Sequence, residues 1–135
     1  MTELTLYCDG GSRGNPGPAA IGAVVYDTTT DRPQMVATVS ECIGVTTNNV
    51  AEYKALIAGL EAVAHLRAEI IRVRADSLLV IKQLRGEWRV KHANMKPLFD
   101  EAKALLAAYE VVDLQHVRRE ENVEADALVN AALDA

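Results

Sequence analysis

The order of its predicted elements most constrains what this 135-residue chain can fold into. Apolar residues alternate with polar or small ones over residues 4–8, 19–27 and 34–44, and such alternation is typical of β-strands. Further along, helical patterns separate two more predicted strands, residues 70–75 and 111–117. Three consecutive strands favour an antiparallel meander, whereas strands separated by helices need crossovers and therefore some parallel pairing. The sequence predicts one α/β domain with the order β-β-β-α-β-α-α-β-α.

Four predicted helices complete this order. The first follows a cluster of N-cap residue types at positions 46–49, and the others cover residues 78–84, 94–109 and 122–135. In the first helix, one apolar stripe is formed by Tyr53, Leu56, Ile57, Leu60 and Ala64. This spacing predicts that one face of the helix is buried against the sheet.

Four carboxylates lie at the edges of these predicted elements. Asp9 ends the first strand and Asp76 ends the fourth, while Glu52 and Asp126 border the buried faces of the first and last helices. Each alone has an ordinary structural explanation, as a turn residue, a helix cap or a partner of the helix dipole. Their spacing in the sequence does not show that they converge.

The segment after Asp9 is rich in residues that shape loops. Residues 10–18 contain four glycines and two prolines. Glycine lets the backbone come close to another molecule, because it has no side chain to clash. The segment therefore predicts a loop that can approach a large ligand beside the Asp9 carboxylate.

Charge and cysteine content narrow the classes of protein further. The net charge of −5 does not indicate a nucleic-acid-binding protein, which is usually basic. Cys8 and Cys42 lack metal-ligand spacing, so we expect two buried, reduced thiols and a cytoplasmic location. The sequence contains no signal-peptide pattern and no apolar run as long as a membrane span, so no membrane association is expected.

Four segments of the chain resemble the motifs of type 1 ribonuclease H. Residues 7–17 (Tyr-Cys-Asp-Gly-Gly-Ser-Arg-Gly-Asn-Pro-Gly) resemble its opening motif, and residues 47–52 (Thr-Asn-Asn-Val-Ala-Glu) its second. Residues 76–77 and 122–126 resemble the third and fourth. The similarity covers essentially the whole chain, and it is closest to bacterial and archaeal members that lack a basic protrusion.

The resemblance implies a fold and a reaction. The fold is ribonuclease H-like, with a five-stranded mixed sheet, three strands antiparallel and the others parallel, flanked by helices. Residues 1–135 would form a single ribonuclease H domain. The implied reaction is metal-dependent hydrolysis of the RNA strand of an RNA–DNA hybrid, leaving 5′-phosphate and 3′-hydroxyl ends.

The four carboxylates would then form a site for two Mg²⁺ ions, with Mn²⁺ as a substitute. Carboxylate oxygens without cysteine or histidine suit Mg²⁺ better than zinc. By the family pattern, Asp9 bridges both ions, Glu52 and Asp76 hold one, and Asp126 holds the other. The bound ions also offset the negative net charge of the chain.

The resemblance also implies residues that contact the hybrid. Asn15, Asn48 and Glu52 would sense the 2′-hydroxyl of the RNA strand, and Thr47 would seat a phosphate of the DNA strand. Trp88 either stacks on nucleic acid or covers the core, and the sequence does not separate these roles. The full set of expected nucleic-acid-binding residues is Gly10, Gly11, Ser12, Arg13, Asn15, Thr47, Asn48, Asn49 and Trp88.

The chain departs from many relatives in two places. It lacks their long basic insertion after Asp76, which predicts weaker and more salt-sensitive hybrid binding, or help from another domain. Many relatives also have a mobile histidine shortly before the last aspartate. His116 matches that spacing within a strand pattern, but Arg119 lies in the following turn, and we favour Arg119 as the residue that assists catalysis.

Two alternative functions remain open from the sequence. One is another nuclease of the same wider fold, such as a transposase-like or junction-cleaving enzyme, which the motif at residues 47–52 disfavours. The other is a non-catalytic hybrid-binding module, which retention of all four acids disfavours, because unused clustered carboxylates repel each other and phosphate. We expect a monomer, and some relatives without the insertion are the first domain of a longer polypeptide, so a fused or partner domain beyond residue 135 is compatible with the sequence.

Overall fold

The computed structural model describes residues 1–135 and confirms the predicted order of elements. The strands are β1 (Glu3–Ser12), β2 (Gly17–Asp27), β3 (Gln34–Thr46), β4 (Ile70–Ala75) and β5 (Val111–His116). The helices are α1 (Asn48–Val63), α2 (Leu78–Leu84), α3 (Lys96–Leu106) and α4 (Val123–Asp134). Two short 3₁₀ turns, Ala64–Leu66 and Arg119–Glu121, lie after α1 and before α4.

The strands form one mixed sheet in the order β3-β2-β1-β4-β5. β1 pairs antiparallel with β2 and parallel with β4, β2 pairs antiparallel with β3, and β4 pairs parallel with β5. The predicted meander and crossovers are therefore confirmed. β1 lies at the centre of the sheet, and its backbone is paired with a neighbouring strand on each side.

The two faces of the sheet carry apolar clusters of very different size. Alternate β1 residues, Leu4, Leu6 and Cys8, join a cluster of 23 buried residues beneath α1, α2 and α3. On the opposite face, Val129 and Ala132 of α4 form a cluster of three buried residues with Ala20 of β2. Most of the hydrophobic stabilisation therefore lies on the α1 side, since it scales with the apolar area removed from water. None of the helices combines the length and apolar character needed to cross a membrane.

The boundaries of β1 correct one expectation about the opening motif. The strand does not end at Asp9 but continues to Ser12, so Gly10 and Gly11 lie within the sheet and pair with Ile21 and Ala20. Hydrogen bonding to the long strand β2 keeps these glycines extended. The connecting loop is therefore shorter than predicted and covers residues 13–16 only.

Other corrections concern a thiol and the ends of helices. Cys8 is buried as expected, but Cys42 is exposed, because it lies on the edge strand β3, where its Sγ contacts the Ala132 carbonyl at 3.0 Å. Ala64 lies in an exposed 3₁₀ turn rather than in the buried stripe of α1. The third helix is also shorter than predicted, with Pro97 in its first turn.

Candidate active site

Two glycines allow the carboxylates to approach one another. Gly10 follows Asp9 on β1, and a Cβ at this position would overlap the backbone of Ala51 and Glu52 on α1. The missing side chain lets the first turns of α1 lie directly against β1. The Glu52 side chain then reaches the strand, and its Oε1 accepts a hydrogen bond from the Gly10 N–H at 2.5 Å.

Parallel pairing of β1 with β4 places Asp76 next to Asp9. The β1–β4 ladder ends at the pair Cys8 and Ala75, and each of these residues is followed by an aspartate, Asp9 or Asp76. Ser77 then starts α2, since its hydroxyl accepts a hydrogen bond from the Val80 N–H at 3.3 Å. Carboxylate oxygens of Asp9, Glu52 and Asp76 all lie within 4.8 Å of one another. Three acids from three separate elements therefore converge.

Asp126 reaches Asp9 from the opposite face of the sheet. A Cβ on Gly22, the β2 partner of Asp9, would overlap the Ala125 carbonyl, so α4 lies directly on the β2 backbone. Asp126 lines the same cavity as Asp9, Glu52 and Asp76. Asp126 lies beside the cluster of Asp9, Glu52 and Asp76 rather than within it.

Burial and mutual repulsion disfavour ionisation of the central acids. Burial, followed by the charge of Asp76, raises the pKa of Asp9 from 3.8 to about 7. Burial and the neighbouring Asp9 charge raise the pKa of Glu52 well above its ordinary value. Burial, with the charge of Glu52 next, also raises the pKa of the Cys8 thiol, which lies on the other face of β1.

This donor set fits a divalent metal ion. The converging atoms are carboxylate oxygens, with no cysteine sulfur or histidine nitrogen among them. Hard divalent cations prefer oxygen ligands. A bound cation would also offset the mutual repulsion of these carboxylates.

The four carboxylates line an open cavity of about 490 Å³. Asn48 and Ser12 form its rim, since Asn48 Oδ1 accepts hydrogen bonds from the Ser12 N–H at 2.9 Å and from its hydroxyl at 3.1 Å. Asn15 Oδ1 accepts from the Asn48 N–H at 3.1 Å, and Thr47 caps α1. With its oxygen occupied in this way, Asn48 presents its Nδ2 donors to a ligand.

A second groove, of about 470 Å³, adjoins this cavity. Asn49 lines both, and Trp88, Arg89 and Lys91 line the groove. Trp88 is 45% exposed, so it is not sealed into the core. The groove therefore offers an aromatic surface with nearby positive charge next to the acids.

The two residues considered as catalytic assistants lie in different surroundings. Arg119 lines the acidic cavity, and its Nη2 lies 3.6 Å from Asp126 Oδ1. His116 is the exposed last residue of β5, and its Nε2 lies 3.2 Å from the Asp76 carbonyl oxygen. Arg119 thus contacts a site carboxylate, whereas the His116 ring contacts only the main chain next to one.

Several residues near the acids were not identified from the sequence. Ser77, Val129, Asn130 and Leu133 line the cavity. Asn122 is buried between β1 and α4, where its Nδ2 donates to the Cys8 carbonyl at 2.8 Å. In the sequence, Asn122 stands only at the expected start of the last helix and in the segment that resembles the fourth motif, and no local pattern predicts a bond across 114 residues.

Comparison with known proteins places the chain in a family. Residues 7–132 match the family model described as "Reverse transcriptase-like". The chain is 45% identical to ribonuclease HI of Halobacterium salinarum, over 98% of its own length and 65% of that protein. A solved RNase H1 from this archaeon superposes with a TM-score of 0.90 at 44% identity, over 98% of both chains. The chain belongs to the type 1 ribonuclease H family.

The chain is also similar to two further relatives. The chain is 44% identical to the bifunctional protein Rv2228c of Mycobacterium tuberculosis, over 98% of its own length but only 36% of that protein. The N-terminal RNase H domain of Rv2228c superposes with a TM-score of 0.92, over 98% of this chain and 99% of that one. LC11-RNase H1, crystallised with an RNA/DNA hybrid, matches at 38% identity and a TM-score of 0.88, over 97% of this chain and 96% of its own.

Proposed function

We propose that the chain is an endoribonuclease that hydrolyses the RNA strand of RNA–DNA hybrids and leaves 5′-phosphate and 3′-hydroxyl ends. The observation that carries this proposal is the convergence of Asp9, Glu52 and Asp76 within 4.8 Å, with Asp126 lining the same cavity. Crystallisation of LC11-RNase H1 with a hybrid supports the choice of substrate. Residues 1–135 act as one ribonuclease H domain, and the free thiols Cys8 and Cys42 suit a reducing cytoplasm.

In this proposal the four carboxylates would hold two divalent cations. These are Mg²⁺ ions, for which Mn²⁺ can substitute. Glu52 and Asp76 would hold one cation, Asp126 would hold the other, and Asp9 would contribute to both. Bound cations would supply a more acidic attacking water and stabilisation of the leaving oxygen. The protein supplies rigid placement of the carboxylates, because Asp9 lies on the central strand and Glu52 is tied to the Gly10 N–H at 2.5 Å.

The rim of the acidic cavity and the adjoining groove bind the hybrid. Asn15 and Asn48, with the Gly10, Gly11 and Ser12 backbone, face the minor groove, where they sense the 2′-hydroxyl of RNA. Phosphates are held by Arg13, Thr47 and Asn49, and Trp88 stacks on the nucleic acid. Arg119 places a positive charge beside Asp126, where a negatively charged phosphate product leaves.

A labelled hybrid tests the proposal directly. Incubated with Mg²⁺ or Mn²⁺, the chain should release RNA fragments with 5′-phosphates, and EDTA or the variant Asp9→Asn should abolish cleavage. Duplex DNA and duplex RNA serve as control substrates. Binding of the hybrid without metal-dependent cleavage would instead indicate a binding module, and cleavage of duplex DNA would indicate a different nuclease of the same fold.

A further inference from the structure

Asn122 is a buried polar residue that joins three segments of the proposed site. It is 1% exposed, and its Nδ2 donates a hydrogen bond to the Cys8 carbonyl at 2.8 Å. Its main-chain N–H donates to the Arg119 carbonyl at 3.0 Å, and its own carbonyl accepts from the Asp126 N–H at 3.1 Å. One side chain and its backbone therefore connect β1, the turn carrying Arg119 and the first turn of α4.

The bond to Cys8 acts on the residue beside the central carboxylate. The β1–β4 ladder ends at Cys8 and Ala75, so the Cys8 carbonyl lies where β1 stops pairing with β4, although its pairing with β2 continues. Asn122 supplies a donor at this point and thereby fixes the peptide that leads into Asp9. The same residue fixes the main chain of Asp126, so the spacing of two carboxylates from different elements depends on it.

The Oδ1 atom of the Asn122 amide indicates a functional constraint. A carbonyl can only accept, so the Nδ2 donor must face Cys8, and this leaves the buried Oδ1 without a partner. A buried acceptor without a donor destabilises the folded state. Such a group is rare in folded proteins and needs an explanation. Selection for stability alone would not favour an amide here.

We propose that Asn122 is a positioning residue that sets the distance between Asp9 and Asp126 for metal binding. This inference rests on the proposed function, since it concerns the same site. Asn122 does not contact a cation or the hybrid itself. It acts through the Cys8 carbonyl and the Asp126 N–H, as outer groups around metal sites commonly orient the ligands.

Calorimetric titration with Mn²⁺ in the absence of hybrid tests this role. Asn122→Ala should weaken Mn²⁺ binding about tenfold or more, the usual effect of losing an orienting partner. It should also lower kcat while leaving KM for the hybrid nearly unchanged, because the rim that binds the hybrid is intact. Ile71→Val, a truncation of a fully buried residue at the far end of β4, controls for general loss of stability and should bind Mn²⁺ like the wild type.

A second variant separates positioning from simple electrostatics. Asn122→Asp keeps the shape of the side chain but replaces the Nδ2 donor with an oxygen and adds negative charge. Simple attraction predicts tighter Mn²⁺ binding, whereas loss of positioning predicts weaker binding, and we expect the weaker binding.

Three outcomes distinguish this inference from the proposed function. Mn²⁺ affinity within twofold of the wild type for both Asn122 variants would overturn the positioning role, even with hybrid cleavage intact. Weaker Mn²⁺ binding by the variants, in a protein whose wild type does not cleave the hybrid, would support positioning and overturn the proposed function. A wild type that binds no Mn²⁺ would overturn the positioning role as stated.

Discussion

Asp9 is the residue on which the other carboxylates converge. It is buried on the central strand, and it shares one cavity with Glu52, Asp76 and Asp126. Their proximity stabilises the protein only if a proton or a cation separates the negative charges. Asp9 is thus unfavourable for stability when the site is empty and becomes useful when a cation is bound.

We predict that the metal-free protein loses stability as the pH rises from about 4 to about 7. The folded pKa of Asp9, about 7, lies above its ordinary value of 3.8, so the folded state holds a proton that the unfolded state has released. The loss in unfolding free energy is complete above pH 7, where it is about 2–4 kcal/mol. Urea unfolding in EDTA at pH 5 and pH 8 measures it.

The variant Asp9→Asn is the matched comparison for this effect. It cannot ionise, so in EDTA it should be more stable than the wild type at pH 8 and exceed it by a smaller margin at pH 5. Equal stability of the two proteins at pH 8 would contradict the raised pKa.

Arg119 and His116 give a second prediction for single residues. Arg119→Ala should lower kcat roughly tenfold to a hundredfold, because it removes the positive charge 3.6 Å from Asp126. His116→Ala should change kcat less than about threefold, because the ring contacts only the Asp76 carbonyl. Steady-state cleavage of a hybrid measures both. A larger loss for the His116 variant would reverse the assignment.

The close packing of α4 on β2 decides whether the fourth carboxylate reaches the site. Gly22 makes this contact possible, since any side chain there would meet the Ala125 carbonyl and the Leu128 side chain. The helix cannot yield locally, because the obstacle is its own backbone. The position of Asp126 is therefore a property of the whole helix rather than of one side chain.

Gly22→Ala should lift α4 from the sheet and move Asp126 away from Asp9. We expect a loss of about 1–3 kcal/mol in unfolding free energy and at least a tenfold loss of kcat. Ser40→Ala is the control, because it removes only the hydrogen bond from Ser40 Oγ to the Leu128 carbonyl. It should cost about 1 kcal/mol and leave kcat unchanged. Normal turnover by the Gly22 variant would show that the α4–β2 spacing does not matter.

Local sequence patterns predict the strands and helices better than the contacts between them. The strands and helices follow from hydrophobic periodicity, and β4 and α2 were predicted to the residue. β1 was predicted too short, because glycine weakens a local strand pattern, whereas pairing with β2 keeps Gly10 and Gly11 extended. The contacts of Gly22 and Asn122 lie beyond local patterns, since both depend on residues about a hundred positions away.

Over the whole molecule, the acidic cavity and the adjoining groove bear opposite charges. Glu87 places a negative charge in the groove beside Arg89 and Lys91. It also pairs with two cations next to the groove, Lys82 at 2.7 Å and Arg85 at 3.6 Å. Lys82 also lowers the pKa of Glu87, so this residue is ionised at neutral pH. The chain lacks the long basic insertion of many relatives, so these few cations matter for binding the hybrid.

Glu87→Gln should therefore tighten hybrid binding roughly twofold to tenfold at low salt and make the affinity more dependent on salt. Kd should be measured with Asp9→Asn protein, which avoids cleavage, over a range of NaCl concentrations. Glu110→Gln is a suitable control, since it changes the net charge equally at a residue that lines neither the cavity nor the groove. Identical salt dependence for both variants would argue against hybrid binding in the groove.

The unequal apolar clusters on the two faces of the sheet also bear on motion. Asp9, Glu52 and Asp76 lie on or directly after elements that join a cluster of 23 buried residues, whereas the smaller cluster has three residues, two of them from α4. Amide hydrogens of β1 should exchange with deuterium only in global unfolding, and those of α4 should exchange through a less costly local opening. Each such opening would carry Asp126 away while the other three acids stay together. The protein would then pass between a complete and an incomplete set of carboxylates without unfolding.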